Sequence, residues 1–486
     1  MPGGVMHVLA LLLAVMLAVC VKNGEAQPNM TITYTLGFLA PTADSAIPAS
    51  LANEWSSAFN VALEVLNSEN RPYTLIPNVQ ASQCDWQAAE RGAKAIAFPT
   101  VPPVIGVVGP ACSGAAMSAA RYLMNFNISL VSFSATAEPL SVRELFPNFF
   151  RTVYGDMHQA AAVVASMAKL QMQKVTMVLT QSYYSWNFGE NVNMLINGST
   201  TVRSVTLGVG DNSSIDATML GTALDSVESD EFVVLAVEPL QALDIWRAAY
   251  GMGKAGYPYW YFGTDGATAF DPADANITDP SMVAELVGEI GVSPFGGDFS
   301  SDSVCNKFYS YWQTMNYPGY ISDGQNRTRS YVPYLIDAVT AYFTVIDNLI
   351  QANITVNAFN VLQAFNGSGP GTPVFEGCTG LVSFDPVTGS RNATAQIPIF
   401  DFVALTPSYW EAKGEIRNAE FQSLQSLTRP GSGSASLHKS KVGVVVGTLV
   451  GLASVLALIV GGTYYYLRKK NSSITRTDSM ARMWER

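Results

Sequence analysis

Residues 104–156 read VIGVVGPACSGAAMSAARYLMNFNISLVSFSATAEPLSVRELFPNFFRTVYGD. Val104–Val108 is a short, wholly apolar run, as expected for a strand buried on both faces. Gly109-Pro110 turns the chain, Ser113–Phe126 continues as a helix, and Ile128–Ser134 is the next strand. A strand that runs into a helix N-terminus leaves free N–H groups and the positive end of the helix dipole at one edge of the sheet. That edge favours an anion, and Ser113 adds a hydroxyl donor. The following strand ends in Ser132-Phe133-Ser134-Ala135-Thr136-Ala137, which brings Ser134 and Thr136 to the same edge, where open α/β sheets bind ligands. Each feature also has a plain structural use: Gly-Pro as a turn, Cys112 as a staple, Ser and Thr as helix caps.

Outward from this stretch the pattern repeats. Thr31–Leu39, Tyr73–Ala81, Lys174–Thr180, Val202–Gly208, Glu231–Val237 and Tyr257–Phe262 read as strands. Leu51–Leu66, Asp85–Ala97, Met157–Leu170, Asn187–Ile196, Ile215–Val227 and Leu240–Tyr250 read as helices between them. Apolar strands alternating with helices predict an α/β fold of doubly wound, mostly parallel sheets covered on both faces. About 390 residues of such a pattern exceed one sheet, so two lobes are expected.

The chain has 486 residues and a net charge of −11. Residues 27–440 carry 19 Lys and Arg against 35 Asp and Glu, a net of −16, which argues against a nucleic-acid surface. Of three histidines only His158 lies in the main body, and neither HExxH nor CxxC occurs. A Ser-His-Asp triad and a His-rich zinc site are thereby disfavoured, and no enzyme, cofactor or metal is expected.

Both ends read as targeting segments. Val8–Val21 suits the apolar region of a signal peptide, with Gly24-Glu25-Ala26 before a mature start at Gln27. Val442–Leu467 carries no formal charge over 26 residues, which as a helix is about 39 Å. Arg468-Lys469-Lys470 follow at once. The expectation is a type I single-pass protein of the plasma membrane, with its N-terminus outside, a Gly/Ser linker at 429–441 and a tail at 468–486. Gly443, Gly447 and Gly451 form a small-residue face suited to helix pairing.

Nine Asn-X-Ser/Thr sites lie between 27 and 440: Asn29, Asn127, Asn197, Asn212, Asn276, Asn326, Asn353, Asn366 and Asn392. They predict a glycosylated surface. Cys84, Cys112, Cys305 and Cys378 in an oxidising compartment predict two disulfides, with three pairings open.

The segment from Gly106 to Asp156 resembles the extracellular ligand-binding domain of class C G-protein-coupled receptors, above all the metabotropic glutamate and GABA type B types. The wider family includes natriuretic peptide receptors and bacterial leucine/isoleucine/valine-binding proteins. NFGE at Asn187–Glu190, YFGTDG at Tyr261–Gly266, YLIDAV at Tyr334–Val339 and FEGCTGLVSFDPVTGSR at Phe375–Arg391 extend the resemblance over about residues 30–412. It implies a two-lobed, type I periplasmic-binding-protein-like clamp within an extracellular region at 27–428. Lobe 1 would comprise about 28–152 and 292–377, and lobe 2 about 153–291 and 378–412. It implies a ligand carboxylate held by Ser113 with help at Thr136, and a ligand ammonium held by Ser113, Asp156 and Asp265. The family's cleft aromatic falls on Phe188, with Tyr183 or Tyr184 as a substitute that would restore a hydroxyl. No basic residue aligns for a distal carboxylate on the ligand. The resemblance also pairs Cys84 with Cys112 and leaves Cys305 for Cys378.

The resulting expectation is a receptor-like protein binding a small amino-acid-like molecule between its lobes, as a homo- or heterodimer joined through lobe 1. One membrane helix and a short tail resemble the natriuretic clearance-type architecture. The rival readings are a non-binding partner subunit that uses the clamp for dimerisation, and a truncated class C receptor.

Overall fold

The computed structural model describes residues 31–427 except 44–45, 99–101, 197–199, 210–213, 230, 270–276, 278, 316, 318–330, 368, 408 and 426. The expected signal peptide, linker, membrane helix, glycine face and tail lie outside the described residues, as do Asn29, Asn197, Asn212, Asn276 and Asn326. No helix among the described residues is long and apolar enough to cross a membrane.

The first sheet is built from β1 (Ile32–Ala40), β2 (Tyr73–Ala81), β3 (Val104–Val108), β4 (Leu130–Ser132) and β5 (Phe149–Arg151). Its order is β2-β1-β3-β4-β5 and every pairing is parallel. Helices α1 (Ala49–Ser68), α2 (Trp86–Ala97) and α3 (Ser113–Leu123) connect these strands. The chain then passes to a second layer through α4 (Asp156–Lys169), β6 (Lys174–Thr180), α5 (Tyr183–Leu195), β7 (Thr201–Leu207), α6 (Ala217–Asp225), β8 (Phe232–Ala236), α7 (Pro239–Gly251) and β9 (Trp260–Gly263). A short turn of helix, α8 (Asp265–Thr268), and α9 (Pro280–Leu286) lead to β10 (Ile290–Pro294). The chain returns to the first sheet with α10 (Asn306–Met315), α11 (Val332–Gln351) and α12 (Ala358–Phe365). A small hairpin, β11 (Phe375–Gly377) and β12 (Gly380–Val382), precedes β13 (Ile399–Leu405), β14 (Trp410–Arg417) and β15 (Glu420–Leu424). The second sheet has the order β15-β14-β13-β10-β9-β8-β6-β7. It is parallel from β7 to β10 and antiparallel from β10 to β15. It therefore runs on to Leu424, well past the alternating pattern of the first half.

Strand alternation decides which helices cover which face. In β3, Gly106 and Val107 point oppositely. A Cβ on Gly106 would lie 2.1 Å from the Tyr342 ring of α11, whereas Val107 lies beside Gly37 and Ile96 of α2. The missing side chain lets the Tyr342 hydroxyl reach β3, where it accepts from the Val107 N–H at 3.0 Å. In β8, Val233 and Leu235 share a core with Trp246 of α7, while Val234 and Ala236 share one with Phe188 of α5 and Val163 of α4. Both sheets are thus apolar on both faces, which explains their nearly continuous hydrophobic strands.

Two disulfides join Cys84 to Cys112 and Cys305 to Cys378. Of the four described sequons, Asn127 and Asn353 are exposed. Asn366 and Asn392 are half-buried, and their side-chain oxygens already accept hydrogen bonds from Arg143 and from the Thr394 N–H.

Candidate ligand-binding cleft

The N-terminus of α3 forms one wall. Gly109 takes φ +87°, where a Cβ would lie 2.6 Å from the Leu39 carbonyl, so only glycine suits this turn. Ser132 donates to the Pro110 carbonyl at 2.6 Å and Ser134 to the Ala111 carbonyl at 3.0 Å, which fixes the loop that presents α3. Ser113 accepts from the Ala137 N–H at 3.2 Å, so its own hydroxyl proton is left for another acceptor. The first-turn N–H groups of α3 point the same way by helix geometry.

The opposite wall comes from α5, α7 and the end of β9. Ser182 caps α5 by accepting from the Ser185 N–H, so the helix begins one turn before the residue its periodicity suggests. That early start puts Tyr184 in the first turn, with its ring against Gly266 and its hydroxyl on Asp265. Asp265 accepts a second hydroxyl from Tyr331. The two helix starts meet across the cleft, since a Cβ on Gly114 would sit 3.4 Å from the Tyr183 ring.

Behind these residues lies Asp156, the first residue of α4. Its backbone N–H donates to the Thr136 carbonyl at 2.9 Å. The carboxylate is fully buried and neither oxygen accepts a hydrogen bond among the described residues. Burial, and after it the Asp265 carboxylate, push the Asp156 carboxyl well above the ordinary range, and the Thr136 hydroxyl beside it pulls it partly back. Burial raises Asp265 as well, against the two tyrosine hydroxyls. The nearby cation, Arg151, is committed elsewhere. It donates to the Thr136 and Ala137 carbonyls at 2.5 and 3.1 Å and to the Ser141 and Ser390 hydroxyls at 2.6 and 3.0 Å. The cleft therefore sets hydrogen-bond donors on one wall against the Asp265 carboxylate on the other, with Asp156 buried behind.

The chain matches the receptor family ligand binding region over residues 54–398. It belongs to that family. It is 25% identical over 305 residues to metabotropic glutamate receptor-like protein E of Dictyostelium discoideum, covering 60% of this chain and 34% of that one. It is 26% identical over 272 residues to glutamate receptor 3.4 of Arabidopsis thaliana, covering 54% and 27%. It is 37% identical over 83 residues to taste receptor type 1 member 3 of Felis catus, covering 17% and 10%. The chain spans about a third or less of the length of these relatives, all of which carry receptor names.

Within this family member, Ser113, Ser134 and Asp265 line the cleft, and Thr136 and Asp156 lie buried behind it. Phe188 does not reach the cleft. It is one helical turn after Tyr184 and fully buried in the core beneath the second sheet, whereas Tyr184 lines the cleft. Trp55, Tyr331 and Glu238 also line the cleft and were not foreseen. Trp55 had a signal, as one large aromatic in a helix start rich in Ala, Ser and Asn. Tyr331 is 66 residues from its partner Asp265 and had none.

Proposed function

We propose that the chain is a cell-surface receptor subunit whose cleft binds a small molecule with an amino-acid head group. The observation that carries this reading is Asp156: a fully buried carboxyl group neither of whose oxygens accepts a hydrogen bond among the described residues, next to a second carboxyl group. Two buried carboxyl groups this close cannot both ionise cheaply, so Asp156 keeps its proton, and a ligand ammonium would let both carry charge. The unused Ser113 proton and the α3 N–H groups suit the carboxylate of the same molecule. Val442–Leu467 would anchor the subunit in the plasma membrane as a single span, and the body would carry N-linked glycans. Pairing with a second subunit of this family would use the exposed Phe98 and Phe126, whose rings pack edge-on at 5.5 Å beside α2 and α3.

The test is a panel of the common amino acids against the full-length protein, read as thermal stabilisation. A ligand at about 100 times its Kd adds about 2.7 kcal/mol. Stabilisation by at least one amino acid, lost in Asp156→Asn and Ser113→Ala, is the expected result. A panel that stabilises neither the parent nor any variant overturns the reading.

A further inference from the structure

We propose that Trp55 makes this cleft selective for small neutral amino acids and closes it to acidic and large ones. The inference rests on the amino-acid reading above and adds the side chain. Trp55 lines the cleft from α1, is 2% exposed, and its indole N–H has no acceptor among the described residues. A buried indole N–H ordinarily finds a partner, so this one is a donor held for an oxygen of the ligand. The ring itself is fixed, edge-on to Phe133 at 5.4 Å and to Tyr331 at 6.3 Å, and cannot swing aside without breaking both contacts.

Size and charge point the same way. The cavity between the walls is about 40 Å3. So little room favours a small side chain, such as that of glycine, alanine or serine, over a large one. Beyond the head group the wall is Ile47, Trp55, Pro239 and Ala269, with the Glu238 carboxylate at its edge. Among the described residues no Lys or Arg lines the cleft. A side-chain carboxylate placed there would meet Glu238 and Asp265 with no cation to balance it. The neutral oxygen or carboxylate of a small ligand would meet the Trp55 N–H instead.

The experiment uses the full-length protein solubilised from membranes, titrated with glycine, L-alanine, L-serine, L-glutamate and L-phenylalanine. Trp55→Phe, Trp55→Ala and Asp156→Asn are run alongside. The small neutral amino acids should stabilise the parent, while glutamate and phenylalanine should not. Trp55→Phe keeps a ring but lacks the N–H, and should weaken alanine or serine at least tenfold. Trp55→Ala should admit phenylalanine. Glutamate stabilising the parent as much as alanine, or Trp55→Phe leaving the alanine Kd within twofold, overturns the proposal. If an acidic or large amino acid binds in an Asp156-dependent way, the head-group reading stands and this inference alone falls. If nothing on the panel binds, both fall together.

Discussion

Two buried polar regions of this protein are handled in opposite ways. Where the chain crosses between its sheets, Asp337 accepts from the Cys378 N–H at 2.6 Å, the Thr379 N–H at 3.1 Å and the Thr379 hydroxyl at 2.5 Å. Arg391 closes the same region, donating to the Thr379 and Leu381 carbonyls at 2.8 and 3.0 Å and lying 5.1 Å from the Tyr154 ring. Gly377 allows this approach, because a Cβ there would sit 2.4 Å from the Asp337 carboxylate. Behind the cleft, Asp156 is just as buried, and neither of its oxygens accepts a hydrogen bond among the described residues. A chain that surrounds one buried carboxylate with donors and leaves another without them has used the first for structure. The second is suited to something that arrives later.

The sharpest way to break this contrast is to remove each carboxylate. Asp337→Ala leaves two backbone N–H groups and the Thr379 hydroxyl without their acceptor and removes the charge that faces Arg391, and should cost about 3–5 kcal/mol of stability. Asp156→Asn resembles the protonated form of a group that lacks donors, so the ligand-free protein should be at least as stable as the parent. Equal losses of stability in the two variants, by denaturant titration, would show that both aspartates are structural.

Ligand binding should reverse the ranking. With an amino acid that binds the parent, Asp156→Asn removes the charge facing the ammonium and should weaken binding by about 2–5 kcal/mol. A charge-conserving substitution in the crossing region that folds should leave affinity nearly unchanged. A next, smaller step is Tyr331→Phe. It takes one of two hydroxyls from Asp265 and should cost about 1.5–3 kcal/mol in binding. If calorimetry gives Tyr331→Phe the parent affinity, Asp265 does not carry ligand charge.

The sheets were legible because their strands are short apolar runs buried on both faces, as Val104–Val108 and Lys174–Thr180 are. Ser113 and Ser134 were legible as residues at the carboxyl ends of such strands, and Asp265 only through the resemblance to the receptor domains. The misplaced aromatic has a local cause: the cap at Ser182 starts α5 earlier than hydrophobic spacing alone implies, and one turn separates a core Phe from a cleft Tyr. Tyr331 and the partnerless state of Asp156 were not legible, because both depend on which distant segments meet. No local pattern encodes an absent hydrogen-bond donor.

The last prediction concerns protons. Burial first, and the neighbouring Asp265 second, hold the Asp156 carboxyl above its ordinary range. The fold therefore keeps a proton there at pH values where the unfolded chain, near 3.9, has lost it. Its stabilising contribution is complete below that value and is lost as pH rises through the folded one, by up to about 1.4 kcal/mol per pH unit. Asp337, pushed up to about 6 by burial, adds a loss of the same sign between about 4 and 6. The two then part. An ammonium ligand favours ionised Asp156, so binding should release up to one proton and strengthen as pH rises, up to about tenfold per unit. Asp337 already has its partners within the protein and should add nothing to the pH dependence of binding. Mild acid should thus give a more stable protein that binds more weakly. Titration calorimetry in buffers of different ionisation enthalpy measures the released proton. Asp156→Asn should abolish that release while the folding slope from Asp337 persists. Affinity that is flat with pH and no proton released would mean that Asp156 does not change its ionisation when a ligand binds, and the distinction between the two buried carboxylates would be lost.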